Sequence, residues 1–110
     1  MTFSVKDNNF YLGGRRIFLN SGEIHYFRIR RGLWDKHLDE AVSAGLKAVS
    51  TYVPWAWHEE EEGVFDVDGS SCPEKDLTGW LRKCKEHGLH AIVKPGPFIL
   101  AEFRGAGLPD

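Results

Sequence analysis

The 110-residue chain predicts an α/β fold built of successive βα units, and three observations carry that prediction. Gly45-Leu46-Lys47-Ala48-Val49 aligns without a gap on Gly88-Leu89-His90-Ala91-Ile92, and the frame continues through Pro54 with Pro97, Trp55 with Phe98 and Glu59 with Glu102, a period of 43 residues. Each glycine closes a segment of helical period, and each is followed by a short β-rich run stopped by proline. A repeated helix, Gly-Leu, apolar strand and proline is how consecutive αβ units of a parallel sheet read.

The elements follow in chain order. Residues 1–20 form a lead-in β-ribbon: Phe3-Ser4-Val5, Phe10-Tyr11-Leu12 and Ile17-Phe18-Leu19 alternate with the turn signals Asp7-Asn8-Asn9 and Gly13-Gly14. Two glycines between short apolar runs mark a hairpin, because both turn residues take positive φ without steric cost. Residues 21–110 hold the first βα units. Ile24 to Phe27 is the first strand candidate, closed by Arg28, Arg30 and Arg31. From Trp34 the period turns helical, with Trp34, Leu38, Ala41 and Val42 at i, i+4, i+7 and i+8 and charged residues opposite. Gly45 stands where a C-terminal cap belongs, and Leu46 to Val53 reads as a buried strand. The polar stretch Glu59 to Asp76 is mostly loop. Leu77, Trp80, Leu81 and Cys84 repeat the helical spacing, Gly88 caps it, and Ala91-Ile92-Val93 is the next strand, ended by Pro95-Gly96-Pro97.

Composition narrows the function. The chain is 42% hydrophobic and 27% charged, ordinary for one globular domain. A net charge of −2, from 14 basic and 16 acidic residues, gives no basic field to gather phosphates, so nucleic acid is not an expected partner. No apolar run approaches the roughly 18 residues of a membrane span. Met1-Thr2-Phe3-Ser4 lacks the start of a signal peptide, so a soluble chain in a cytoplasmic setting is expected. Two cysteines, Cys72 and Cys84, suggest neither a disulfide scaffold nor a zinc pattern. The histidines offer no metal set either: His58-Glu59 has no second His at helical spacing, and His87 with His90 lacks a third ligand. No cofactor is expected.

Two closed architectures accept the pattern: an open doubly wound sheet or a (β/α)₈ barrel. A dinucleotide-binding sheet would carry a glycine-rich turn after its first strand, whereas here His25-Tyr26-Phe27-Arg28 stands there. The strand ends instead collect Arg, Tyr, Trp, His and Glu, the side chains of a polar, aromatic-walled sugar site at the C-terminal face of a barrel. A barrel needs about 250 residues, so these 110 would supply roughly three of its eight strands.

Three segments then acquire a common meaning: Ser21-Gly22-Glu23-Ile24-His25-Tyr26-Phe27-Arg28, Thr51-Tyr52-Val53-Pro54-Trp55-Ala56-Trp57-His58-Glu59, and Pro95-Gly96-Pro97-Phe98-Ile99-Leu100-Ala101-Glu102-Phe103 with Gly107-Leu108-Pro109. From about Phe10 to Asp110 the chain resembles the N-terminal part of the family 35 glycoside hydrolases, β-galactosidases with a (β/α)₈ catalytic domain. The resemblance implies a retaining mechanism in which one Glu protonates the leaving oxygen and a second attacks the anomeric carbon. In the family these follow the fourth and seventh strands, so both are expected beyond Asp110, and residues 1–110 are expected to be an N-terminal fragment without its catalytic pair. The implied substrate is a terminal non-reducing β-D-galactose of a β-galactoside or oligosaccharide.

The resemblance assigns sugar contacts to Tyr52, to the backbone of Ala101 and to Glu102. A carboxylate can accept two charge-assisted hydrogen bonds from neighbouring hydroxyls. His25 and Arg28, at the end of the first strand, are candidates for orienting carboxylates, and Glu59 earns attention as the repeat partner of Glu102. Their plainer readings are a core tyrosine bonded to backbone, a structural salt bridge at Glu102 and a solvated run from Glu59 to Glu62. The chain departs from the family at Arg30, often Pro, at Ala56, often Asn, and at Phe103, often Trp. Two other functional classes fit the same residues: a non-catalytic carbohydrate-binding module, and a related barrel glycosidase such as an exo-β-glucosaminidase.

Overall fold

In the computed structural model, which describes residues 1–110, the chain forms two three-stranded sheets. The first is an antiparallel ribbon of β1 (Phe3–Lys6), β2 (Asn9–Leu12) and β3 (Arg15–Ile17). Its turns are set by residue chemistry. Asp7 and Asn8 have φ of 49° and 61°, Gly13 and Gly14 of 58° and 78°. Such consecutive positive pairs match the right-handed twist of a two-strand hairpin, and Asp, Asn and Gly tolerate them best. The third strand ends earlier than its apolar run suggests, leaving Phe18 exposed.

The second sheet is parallel, with β4 (Ser21–Glu23), β5 (Ala48–Val53) and β6 (His90–Pro95) in that order, so β5 is central. The helices α1 (Trp34–Ser43) and α3 (Leu77–Glu86) connect them and complete the βαβαβ run. The first strand is displaced from its predicted place. The ladder ends at Ile24, whose amide bonds to the Ser50 carbonyl at 2.9 Å, and Tyr26–Arg28 is a 3₁₀ turn. Tyr26 and Phe27 are both buried, which neighbours in a strand cannot be on one face. Gly22 fits this strand because a Cβ there would meet Leu46 Cδ1 at 2.8 Å.

Residues from α1, α3 and β5 make the core: Trp34, Leu38 and Ala41 with Trp80, Cys84 and Val49. Trp34 and Trp80 meet edge to face, centroids 5.4 Å apart, and Tyr26 packs against both. Val42 and Leu81, assigned to the apolar faces, are exposed. The buried stripe of α1 is the narrower set i, i+4, i+7, and Val42 lies roughly 100° around the helix from Ala41. Outside the core, Asp35 accepts from Lys83 at 2.6 Å and faces His87 at 3.0 Å, tying the helices together. No helix is long and apolar enough to cross a membrane.

Between β5 and α3 the predicted loop has local order. Trp55–His58 forms one helical turn, here α2, Pro73–Lys75 a 3₁₀ turn, and the Asp76 carboxylate caps α3 by accepting from the Gly79 amide at 2.8 Å.

Candidate functional site

The three parallel strands deliver polar side chains to one face of the sheet near their C-terminal ends. Glu23 pairs in register with Ser50, and Tyr52 with Lys94. Alternation then sets Glu23, Ser50, Tyr52 and Lys94 on one face, opposite the helix-packed Val49. The Lys94 ammonium meets the Glu23 carboxylate and stands 4.0 Å from the centroid of the Tyr52 ring. Its hydrogen bond holds the Glu23 carboxyl below the usual carboxylate range, against a smaller opposing effect of burial.

His25 joins this group from the segment after β4. Its ring stacks on Tyr52 at 5.8 Å and on Phe27 at 5.2 Å, and Nε2 lies 3.9 Å from Glu23. Burial lowers the imidazole pKa, Glu23 opposes that shift, and Arg28 and Lys94 reinforce it. His25 is therefore neutral at pH 7, and its buried Nδ1 has no partner within the chain.

Arg28 reaches the third segment. Its guanidinium donates to the carbonyl of Ala101 and lies 5.2 Å from the Phe27 ring, which packs edge-on against Phe103. The loop closes through bonds from Ile99 N to Ala106 O and from Ala106 N to Phe103 O, both 2.9 Å. Ala101 is buried, whereas Glu102 is exposed with a left-handed backbone, φ 53°. A contact chain thus runs from Tyr52 through His25 and Phe27 to the loop that carries Glu102.

Glu59 is arranged differently. Its carboxylate accepts from Trp55 Nε1 at 2.6 Å and from the Gly63 amide at 2.7 Å, closing its own loop. It lines an open cleft of about 870 Å³ with Trp55, Trp57, Phe103, Arg104 and Leu108. That cleft is bordered by neither Tyr52 nor Glu102.

Two features escaped the sequence reading. Lys94 had a visible signal, as a cation near the end of the apolar run Ala91-Ile92-Val93. His58 had none, because it heads a run of glutamates, yet it is buried: Nδ1 lies 2.6 Å from the Asp66 carbonyl and Nε2 2.7 Å from the Tyr26 hydroxyl. A carbonyl only accepts, so Nδ1 carries the proton and Nε2 accepts from the phenol. Burial lowers the His58 pKa and raises that of Tyr26. The Asp66 carboxylate in turn accepts from the Ser71 hydroxyl and from the amides of Ser71 and Gly69, which hold it far below the ordinary range. This chain of bonds locks the loop under Tyr26. Cys84 is packing, its thiol pushed up to about 12 by burial.

Carboxylate, ammonium, phenol and imidazole gathered beside aromatic rings at the C-terminal ends of parallel strands is the arrangement in which α/β enzymes bind polar substrates. Comparison with known proteins gives that class a family. Residues 9–110 match glycosyl hydrolases family 35. The chain is 50% identical over 101 residues to a beta-1,2-glucosyltransferase of Ignavibacterium album, covering 92% of this chain and 14% of that protein. It is 42% identical to an exo-beta-D-glucosaminidase of Pyrococcus horikoshii, over 90% of this chain and 13% of that one, and 41% identical to a beta-galactosidase of Felis catus, over 93% and 15%. The chain belongs to glycosyl hydrolases family 35. It spans between 13% and 15% of the length of these curated relatives.

Proposed function

We propose that the whole protein is a retaining β-glycosidase that removes a terminal non-reducing β-D-galactose, and that Tyr52, Ala101 and Glu102 hold the sugar. The observation that carries this reading is the Arg28 bridge to the Ala101 carbonyl, which anchors the residue before Glu102. Glu102 itself has φ 53°, a conformation that costs a non-glycine residue free energy and gathers at ligand sites. An exposed carboxylate so held accepts from two adjacent sugar hydroxyls, while Tyr52 adds an aromatic wall and one neutral hydrogen bond. His25 acts through the Tyr52 ring, Arg28 through Ala101, and Glu59 by shaping the neighbouring loop.

Hydrolysis with retention needs two further carboxyls roughly 5 to 5.5 Å apart, one protonating the leaving oxygen and one attacking the anomeric carbon. We assign neither within residues 1–110 and expect both after Asp110. Residues 1–110 then form the N-terminal part of a (β/α)₈ catalytic domain, 1–20 as lead-in ribbon and 21–110 as the first βα units. One feature of the sheet supports closure: Ala48 pairs with His90, whereas its repeat equivalent is Ala91. A stagger of one residue per strand is what an eight-stranded barrel of shear 8 requires.

A second reading, action on glucosyl or glucosaminyl units, is favoured by the higher identity to the glucosyltransferase, 50% against 41% for the galactosidase. The test is kcat/KM of the whole protein on matched aryl β-galactoside, β-glucoside and β-glucosaminide. The galactoside is expected to lead by at least about tenfold, near 1.4 kcal/mol. A lead for either other sugar installs the second reading, and silence on all three removes the glycosidase assignment.

A further inference from the structure

We propose that Lys94 is a positioning residue that, braced by Glu23, fixes where the Tyr52 ring stands; its effect on turnover rests on the reading of Tyr52 as a sugar contact. Lys94 is the register partner of Tyr52, yet its ammonium turns across β5 to the carboxylate of Glu23 on β4. The level it crosses is that of Ser50, a small residue that leaves room above the strand. On that path the ammonium lies 4.0 Å from the Tyr52 centroid, within the range at which a cation is attracted to the face of a phenol ring. His25, stacked on the same ring, is neutral and adds no competing charge at pH 7.

The alternative is an ion pair that serves only stability. Within residues 1–110 both partners are partly open to solvent, 38% for Lys94 and 43% for Glu23, so the pair adds little to the folding of this part of the protein. A basic side chain near the end of an otherwise apolar strand that lies against the ring of an aromatic site residue acts on that residue. A tyrosine fixed before the substrate arrives does not lose ring freedom on binding, so the contribution falls on affinity.

The experiment uses the whole protein. Lys94→Met is expected to raise KM for the preferred glycoside by roughly tenfold with kcat within about threefold, Lys94→Arg to recover most of the loss, and Tm to move by no more than about 2 °C. In a Tyr52→Leu background Lys94→Met is expected to add no further loss. An unchanged KM in Lys94→Met, or an undiminished loss in that background, overturns the proposal. A second measurement needs no turnover. With ¹³C-labelled lysine, the ε-CH₂ protons of Lys94 are expected upfield of the other lysines through the Tyr52 ring current, and shifted back in Tyr52→Leu and in Glu23→Gln. Ordinary shifts overturn the clamp whatever the activity. Upfield shifts in a protein silent on every glycoside leave the clamp standing and remove the glycosidase reading instead.

Discussion

Around Gly45 and around Gly88 the backbone makes the same bonds. Leu46 N reaches Ala41 O as Leu89 N reaches Cys84 O, and Ala44 N reaches Glu40 O as His87 N reaches Lys83 O. Beyond the strands the two copies of the repeat part. The first turns into a helical segment, and Glu59 accepts from the Trp55 indole and the Gly63 amide. In the second, Phe98 stands where Trp55 stood and has no side-chain N–H to give, and Glu102 is left exposed on a left-handed backbone. Helix caps and strand entries are dictated by glycine and by local backbone bonding, so they repeat. What a matched carboxylate does depends on which donors its own loop supplies.

The copies also differ in burial: β5 lies between two strands while β6 has one hydrogen-bonded neighbour and is largely exposed. Three perturbations sharpen that difference. Trp80→Ala removes the ring that joins α3 to Trp34 and Tyr26, and is expected to cost about 3 to 5 kcal/mol, read from the urea midpoint at unchanged slope. A loss near 1 kcal/mol would mean that the sheet, not the helices, holds the copies together. Val49→Ala in β5 is expected to cost about 2 kcal/mol, and its repeat equivalent Ile92→Ala in β6 less than about 1 kcal/mol. These values hold for residues 1–110; in the whole protein, where the proposed barrel sets a further strand beside β6, the two losses are expected to converge, and a persisting gap would speak against that closure.

The smallest effect is the part of the pH dependence that His58 of the first copy carries. The His58 pKa is lowered on folding, so the unfolded state binds the proton more readily. Its contribution to stability is complete above its unfolded value of about 6.5 and is lost as pH falls from there through the depressed folded value. Replacing His58 with Phe is expected to flatten the fall in Tm between about pH 6.5 and pH 5 without abolishing it, since the pKa of His25 is lowered too. An unaltered slope would deny His58 a neutral, buried role.

Much of this was legible in the sequence where local chemistry decides. Gly13-Gly14, Gly45 and Gly88 mark their turns because the required φ is positive at each. The repeat located two of the three parallel strands and both long helices. The first strand was misplaced because the apolar weight of Ile24 to Phe27 belongs to residues that enter the core from a turn, while the paired backbone is the polar Ser21–Glu23. Asp66 and His58 were illegible for a related reason. Their partners are backbone groups of a folded loop together with the hydroxyls of Tyr26 and Ser71, and no side-chain pattern along the chain reveals that set. The Glu23–Lys94 pair needed strand order as well, since it connects residues 71 positions apart.

The division of labour between Glu59 and Glu102 is the central claim, and the paired substitutions Glu59→Gln and Glu102→Gln in the whole protein test it most directly. Glu102→Gln is expected to lower kcat/KM on the preferred glycoside by about 100-fold or more, some 2.7 kcal/mol of transition-state stabilisation, with Tm nearly unchanged. Glu59→Gln is expected to lower Tm by a few degrees, about 1 kcal/mol for two loop hydrogen bonds in partial exposure, and to leave kcat/KM within about threefold. If Glu102→Gln held kcat/KM within about twofold of wild type, near 0.4 kcal/mol, the exposed carboxylate would be no sugar ligand and the account would be contradicted.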